Sequence, residues 1–165
     1  MITLLPKRAA CLLAMATVLL VGCATKAERA AQLAEQGRMV AAALQQRHYS
    51  IDIQQMTPRQ GGLRTVSYGF SLEVKGDTLV SYLPYFGRVY SAPYAGSGKG
   101  LNFTERIRKY TDEQPKPGLR RVRVKVANEE DTYLFTISVY EGGQATIDLQ
   151  ARERESVSYS GELRL

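Results

Sequence analysis

The sequence predicts a mainly β protein with one N-terminal helix, and three observations carry the prediction. A stretch rich in alanine, glutamine, glutamate and arginine, from about Lys26 to His48, has apolar residues at helical spacing. From about Tyr49 to Leu165 apolar and polar residues alternate with a period of two, and short Gly- and Asp-containing breaks separate the alternating runs. Polar outer faces mark an antiparallel sheet buried on one side, because parallel strands read as continuous apolar runs. A helix followed by an antiparallel meander of about seven or eight strands predicts a curved sheet or small half-barrel, with the helix packed on an open face or end.

The chain opens MITLLPKRAACLLAMATVLLVGC. Lys7 and Arg8 precede an apolar run from Ala9 to Val21, which is shorter than the ~20 residues a membrane span requires. Charge, apolar stretch and small residue in that order predict an export signal over residues 1–22. Leu20-Val21-Gly22-Cys23 resembles a bacterial lipobox, in which Cys23 is acylated and becomes the new N-terminus. Residues 23–25 are then a short lipidated tether, and 26–165 a single β-rich domain with a real core. Cys11 leaves with the signal, so the mature chain has no pair of cysteines for a disulfide. Two or more acyl chains hold a protein firmly on its membrane. Loss of Lys7 and Arg8 lowers the net charge from +6 to about +4. That mild basicity, in an exported protein, excludes nucleic acid as the expected partner.

Within the predicted helix, Leu33, Gly37, Val40 and Leu44 form one stripe, with Ala30 and Ala41 beside it. Ile51 and Ile53 begin the β pattern. Val66, Tyr68, Phe70, Leu72 and Val74 share one face of a predicted strand, and Gly76-Asp77 turns the chain into Leu79 to Leu83. Val122, Val124 and Val126 alternate with Arg121, Arg123 and Lys125. Tyr133, Phe135, Ile137 and Val139 come next, then Glu141-Gly142-Gly143, then Ala145, Ile147 and Leu149. Val157, Tyr159, Leu163 and Leu165 close the chain. Tyr68, Phe70, Phe135 and Tyr159 on inward faces favour an interior filled by side chains over a ligand cavity.

No catalytic constellation is recognisable. His48 is the only histidine, sits where helix meets strand, and reads as a helix C-terminal cap. One histidine with a lipidated cysteine builds neither a Ser/His/Asp site nor an ordinary zinc site, and no metal or cofactor is expected. Gly96-Ser97-Gly98-Lys99-Gly100 has the look of a phosphate loop, but Pro93 stands at the first glycine position and Gly100 at the Ser/Thr position. Glu129-Glu130-Asp131 lies between two strands and reads as a solvated hairpin turn rather than an acid/base cluster. Pairing of Glu73, Glu105 or Glu162 in a glycosidase manner depends on spatial separations that sequence does not contain.

Two stretches remain as candidate contact surfaces. Arg121, Arg123 and Lys125 face outward on one strand. They read as a solvated, edge-protecting row, or as a stripe for membrane phosphates or an acidic partner. In SYLPYFGRVYSAPYAGSGKGLNF, Pro84 and Pro93 argue against a central strand, and Gly96, Gly98 and Gly100 loosen the chain. Tyr85, Phe86, Arg88, Tyr90 and Tyr94 suit a surface that binds something both apolar and polar. The alternative is a corner at Pro84 to Gly87 whose rings pack over one end of the sheet.

GDTLVSYLPYFGRVYSAPYAGSGKGLNF, EDTYLFTISVYEGGQATI and RESVSYSGEL resemble the exported bacterial lipoprotein family catalogued as domain of unknown function 4251, in order over nearly the whole mature chain. ARERESVSYSGEL departs where members tend to carry Asn-Arg before the last strand. The resemblance implies a lipocalin-like barrel or half-barrel, an envelope location in a Gram-negative bacterium, and no catalytic residues to carry over. Ala24 after the cysteine then implies the outer membrane, its inner leaflet facing the periplasm. The expected function is a non-catalytic, membrane-anchored binding or interaction module engaging an envelope protein, a glycan or a lipid-like molecule. The competing expectations are an envelope hydrolase with an unrecognised carboxylate site, or a lipocalin-like carrier of a small apolar ligand.

Overall fold

The computed structural model of the chain describes residues 25–90 and 101–165. The predicted export signal, Cys23, Tyr94 and the glycines at 96, 98 and 100 lie outside the described residues. The chain divides into two units, the first ending at Gln32. Its described part is the start of helix α1 (Lys26–Gln46), held by a capping box. Thr25 Oγ1 accepts from Glu28 N at 3.2 Å, and Glu28 Oε2 accepts from Thr25 N at 2.6 Å.

The second unit, from Leu33, contains the rest of α1 and all the strands. These are β1 (His48–Pro58), β2 (Arg64–Thr65), β3 (Ser71–Lys75), β4 (Thr78–Leu83) and β5 (Leu101–Arg106), followed by β6 (Lys109–Lys116), β7 (Leu119–Ala127), β8 (Thr132–Tyr140), β9 (Gln144–Ala151) and β10 (Val157–Arg164). The main path runs β5-β4-β3-β1-β10-β9-β8-β7-β6, antiparallel at every step, with the two-residue β2 beside β1.

β5 and β6 are the two edges of this path, yet only Ile107 and Arg108 separate them in the chain. Alternating directions along the path make both strands run the same way, so no reversal is needed between them. They act as one bent strand whose first part pairs with β4 and whose second part pairs with β7. Ile107 N donates to Asp77 O at 2.7 Å and Arg108 N to Lys125 O at 2.8 Å, fastening the bend to each side. The sheet must therefore curl into a half-barrel. Across the curl, Phe103 of β5 stacks on Tyr133 of β8 with ring centroids 4.8 Å apart.

The predicted alternation fills this interior. Val122, Val124, Val126, Tyr133, Phe135, Ile137, Val139, Ile147 and Tyr159 are all buried, and the fully buried side chains contribute about 1.5–3 kcal/mol each. From α1, Val40 and Leu44 are buried in that core and Ala43 packs against it. The helix is held by Tyr110, whose hydroxyl donates to Leu44 O at 2.8 Å, and by Gln36, which donates to Gly142 O at 3.2 Å. Arg47 ends it in the left-handed region, φ 54, and its carbonyl accepts from Gly76 N. His48 Nδ1 lies 3.1 Å from Gln46 O, as a cap to the helix end. No described helix is long and apolar enough to cross a membrane.

Four expectations are corrected. Leu33 is exposed, so the buried stripe begins only near Gly37. The single strand predicted through Val66–Val74 is broken. Residues 66–70 are irregular, Gly69 has φ 103, and Tyr68 is fully exposed at 105 % instead of inward. Leu165 is exposed at the chain end. β5, whose burial alternates, and β6, whose burial does not, complete the two edges; Pro115 and Lys116 mark β6 as an edge strand. On β10, Gly161 lies opposite a bulge between Ile53 and Gln55, where a Cβ would run into the Asp52 carbonyl.

Candidate contact surface

β4 ends at Leu83 and the chain enters Pro84-Tyr85-Phe86-Gly87-Arg88-Val89-Tyr90, a segment fixed at five backbone or side-chain points. Tyr159 donates to Pro84 O at 2.7 Å. Tyr85 folds back so that its hydroxyl lies 2.8 Å from Arg88 O and 3.2 Å from Glu155 O. A Cβ on Gly87 would lie 2.6 Å from that hydroxyl, so only glycine leaves Tyr85 its place. Arg88 N donates to Glu155 Oε2, Glu155 N to Arg88 O, and Tyr90 N to Glu153 O. Residues 88–90 thus lie antiparallel to 153–155 like a short added strand.

Beneath the segment is a charged network that the sequence reading places in solvent. Glu129 is exposed as expected, but the Asp131 side chain has no exposed surface. Asp131 Oδ1 accepts from the backbone N–H groups of Thr132, Arg152 and Glu153 at 2.7, 2.9 and 3.2 Å. Arg154, 4 % exposed, puts Nε 3.5 Å from Asp131 Oδ2 and donates an Nη hydrogen to Glu130 at 2.8 Å. Its guanidinium faces the rings of Tyr85 and Tyr133 at 5.8 and 5.7 Å. Burial raises both phenol pKa values, with Arg154 acting against the rise. Carboxylates do converge under the segment, but each is already engaged: Asp131 and Glu130 by Arg154, Glu155 by Arg88 N.

The inner bonds decide which side chains face out. Tyr85 is half-buried and structural, whereas Phe86, Arg88 and Tyr90 are exposed, the two rings at 53 % and 62 %. The corner packing expected of this stretch is thus made by Tyr85, while Phe86, Arg88 and Tyr90 are left exposed. The Arg64 guanidinium stands 5.0 Å over the Phe86 ring, joining the 59–70 loop, which carries β2, to the segment. Phe70 of that loop stacks on Tyr82 at 5.2 Å.

The basic stripe lies elsewhere on the surface. Arg121, Arg123 and Lys125 are on the outer face of β7, Arg121 half-buried and the others exposed. Arg123 pairs with Glu113 at 3.1 Å, and Lys125 stands opposite Lys109 in the β6 register. A second interior polar group sits by α1. Arg120 makes a two-pronged ion pair with Asp112, next to Tyr110 and the buried Tyr49. Burial raises the Tyr49 phenol well above its ordinary value, and neighbouring Tyr110 adds to it. A cleft of about 70 Å³ between Gly37, Val40, Gly118, Arg120 and Glu141 has room for water. Ligand pockets start at ~300 Å³.

Asp131, Arg154 and Glu155 are the residues sequence reasoning missed. Their signal is faint: Arg154 and Glu155 fall in a break in alternation, and Asp131 ends an acidic run. The capping box did have a signal, Thr25 three residues before Glu28.

The family model described as "Domain of unknown function (DUF4251)" matches residues 31–163. A crystal structure of a DUF4251 family protein from Bacteroides eggerthii DSM 20697 is similar, with a TM-score of 0.60 and 14% identity. The match covers 78% of this chain and 86% of that one. No match was found among curated proteins.

Proposed function

We propose, from the premise that the chain belongs to the DUF4251 family of unknown function, that it is a non-catalytic binding module whose contact surface is the outer half of the 84–90 segment. One observation carries this reading: a network of hydrogen bonds fixes the segment while leaving Phe86, Arg88 and Tyr90 in solvent. Exposed loops held by a rigid scaffold are where recognition concentrates. Filling of the half-barrel by Tyr133, Phe135, Tyr159 and Phe103 favours this over a carrier of a small apolar ligand. Engagement of Glu130, Asp131 and Glu155 by Arg154 and Arg88 N favours it over a hydrolase. The module is exported and tethered through acylated Cys23 to the envelope, in the outer membrane facing the periplasm.

Substituting Phe86→Ser and Tyr90→Ser together tests the surface. The variant is expected to keep its melting temperature and lose partners crosslinked in cells. A large fall in melting temperature would return both rings to the core and end the proposal. Intact-mass analysis tests the tether, with a start at acylated Cys23 expected and an unmodified start elsewhere excluding it.

A further inference from the structure

The contact surface is wider than the tyrosine segment. Exposed apolar side chains gather on the two segments that the Arg64–Phe86 contact brings together: Leu63 and Tyr68 on one, Phe86, Val89 and Tyr90 on the other. An exposed apolar cluster of this kind marks an interaction site. The same two segments, residues 59–70 and 84–90, carry Arg59, Arg64 and Arg88 and no aspartate or glutamate. Glu153, bonded through its carbonyl to Tyr90 N, has its carboxylate paired with Arg152 at 3.3 Å. The rim is thus apolar and cationic at once.

We propose that this rim docks on an anionic phospholipid surface; the inference rests on the contact surface proposed above and names its partner. Leu63, Val89 and Phe86 have no polar tips, which suits the hydrocarbon boundary of a bilayer and adds nothing to the recognition of a sugar. Tyr68 and Tyr90 have apolar bodies and polar ends, as side chains at the headgroup level do. Arginine matches phosphate oxygens in charge and in its forked geometry. Each basic residue near an anionic bilayer strengthens association roughly 5-fold, so the three arginines together contribute on the order of 100-fold. An acyl anchor and a basic, apolar rim on one chain are two signals acting together, the arrangement that makes membrane attachment stable.

The test places an environment-sensitive fluorophore on the full chain with Val89→Cys, both native cysteines changed to serine, and vesicles of phosphatidylglycerol with phosphatidylcholine or of phosphatidylcholine alone. A blue shift with the anionic vesicles, absent with phosphatidylcholine and reversed by Arg59→Gln/Arg64→Gln/Arg88→Gln, is the expected result. A fluorophore at Tyr90→Cys gives the same reading if Val89→Cys fails to fold. An equal shift on both vesicles overturns the role of charge. No shift on either vesicle overturns the lipid partner, and crosslinks from position 90 to a protein or glycan would then leave the contact surface standing. No shift and no crosslink would remove both.

Discussion

Two parts of the half-barrel solve one problem with similar chemistry and opposite outcomes. Beside α1, Arg120 grips Asp112 next to Tyr110 and Tyr49, and the assembly fastens the helix through the Tyr110–Leu44 bond. Under the 84–90 segment, Arg154 faces Asp131 and Glu130 beside Tyr85 and Tyr133. At the first, Val40 and Leu44 enter the core. At the second, the bonds to Pro84, Tyr85, Arg88 and Tyr90 hold a segment whose remaining side chains stay in water. The difference teaches that buried arginine–carboxylate chemistry does not itself mark function here. What separates the two parts is what each leaves exposed.

Alkali is expected to break both parts at once, and has the largest effect. Burial raises the phenols of Tyr49, Tyr85, Tyr110, Tyr133 and Tyr159 above the ordinary value of 10.0. Stability from their neutral forms is complete below pH ~10 and is lost as pH rises through the folded-state values. Ionisation of these five phenols, followed in the ultraviolet, should coincide with unfolding followed by circular dichroism. Ionisation of the five without loss of structure would contradict this.

Asp131→Ala strips one of the two carboxylates from a buried arginine and the acceptor from three backbone N–H groups, so a loss of about 3–5 kcal/mol is expected in chemical denaturation. Asp112→Ala, at the less buried pair, should cost about 1.5–3 kcal/mol. Reversal of that order would mean that the helix end, not the segment end, holds the fold. Gly87→Ala should cost about 1–3 kcal/mol by pushing Tyr85 from its place, and should loosen the 84–90 segment in hydrogen exchange. Phe86→Ser and Tyr90→Ser sit last, each within about 0.5 kcal/mol of the parent.

The antiparallel half-barrel with its N-terminal helix was legible because burial on one side imposes a period of two. The valines of β7 and the aromatic run of β8 are inward as read. Legibility failed where the backbone, not burial, decides. Gly69 in the left-handed region breaks the pattern through Tyr68, and β5 and β6 are edge strands whose sequence answers to the bend at Ile107-Arg108. The candidate site was legible as a stretch but not residue by residue. Tyr85 and Tyr90 look alike in sequence; they part company because Glu155 and Arg154, some seventy positions later, return beside the first. The burial of Asp131 was hidden for the same reason, its backbone donors coming from residues 152 and 153.

The central claim is that one short segment has an anchored inner half and a contacting outer half. In-cell photo-crosslinking from position 90 and from position 85 measures this most directly. Adducts from 90 and none from 85 are the result the account requires. Equal capture from both positions, or capture from 85 alone, would contradict it.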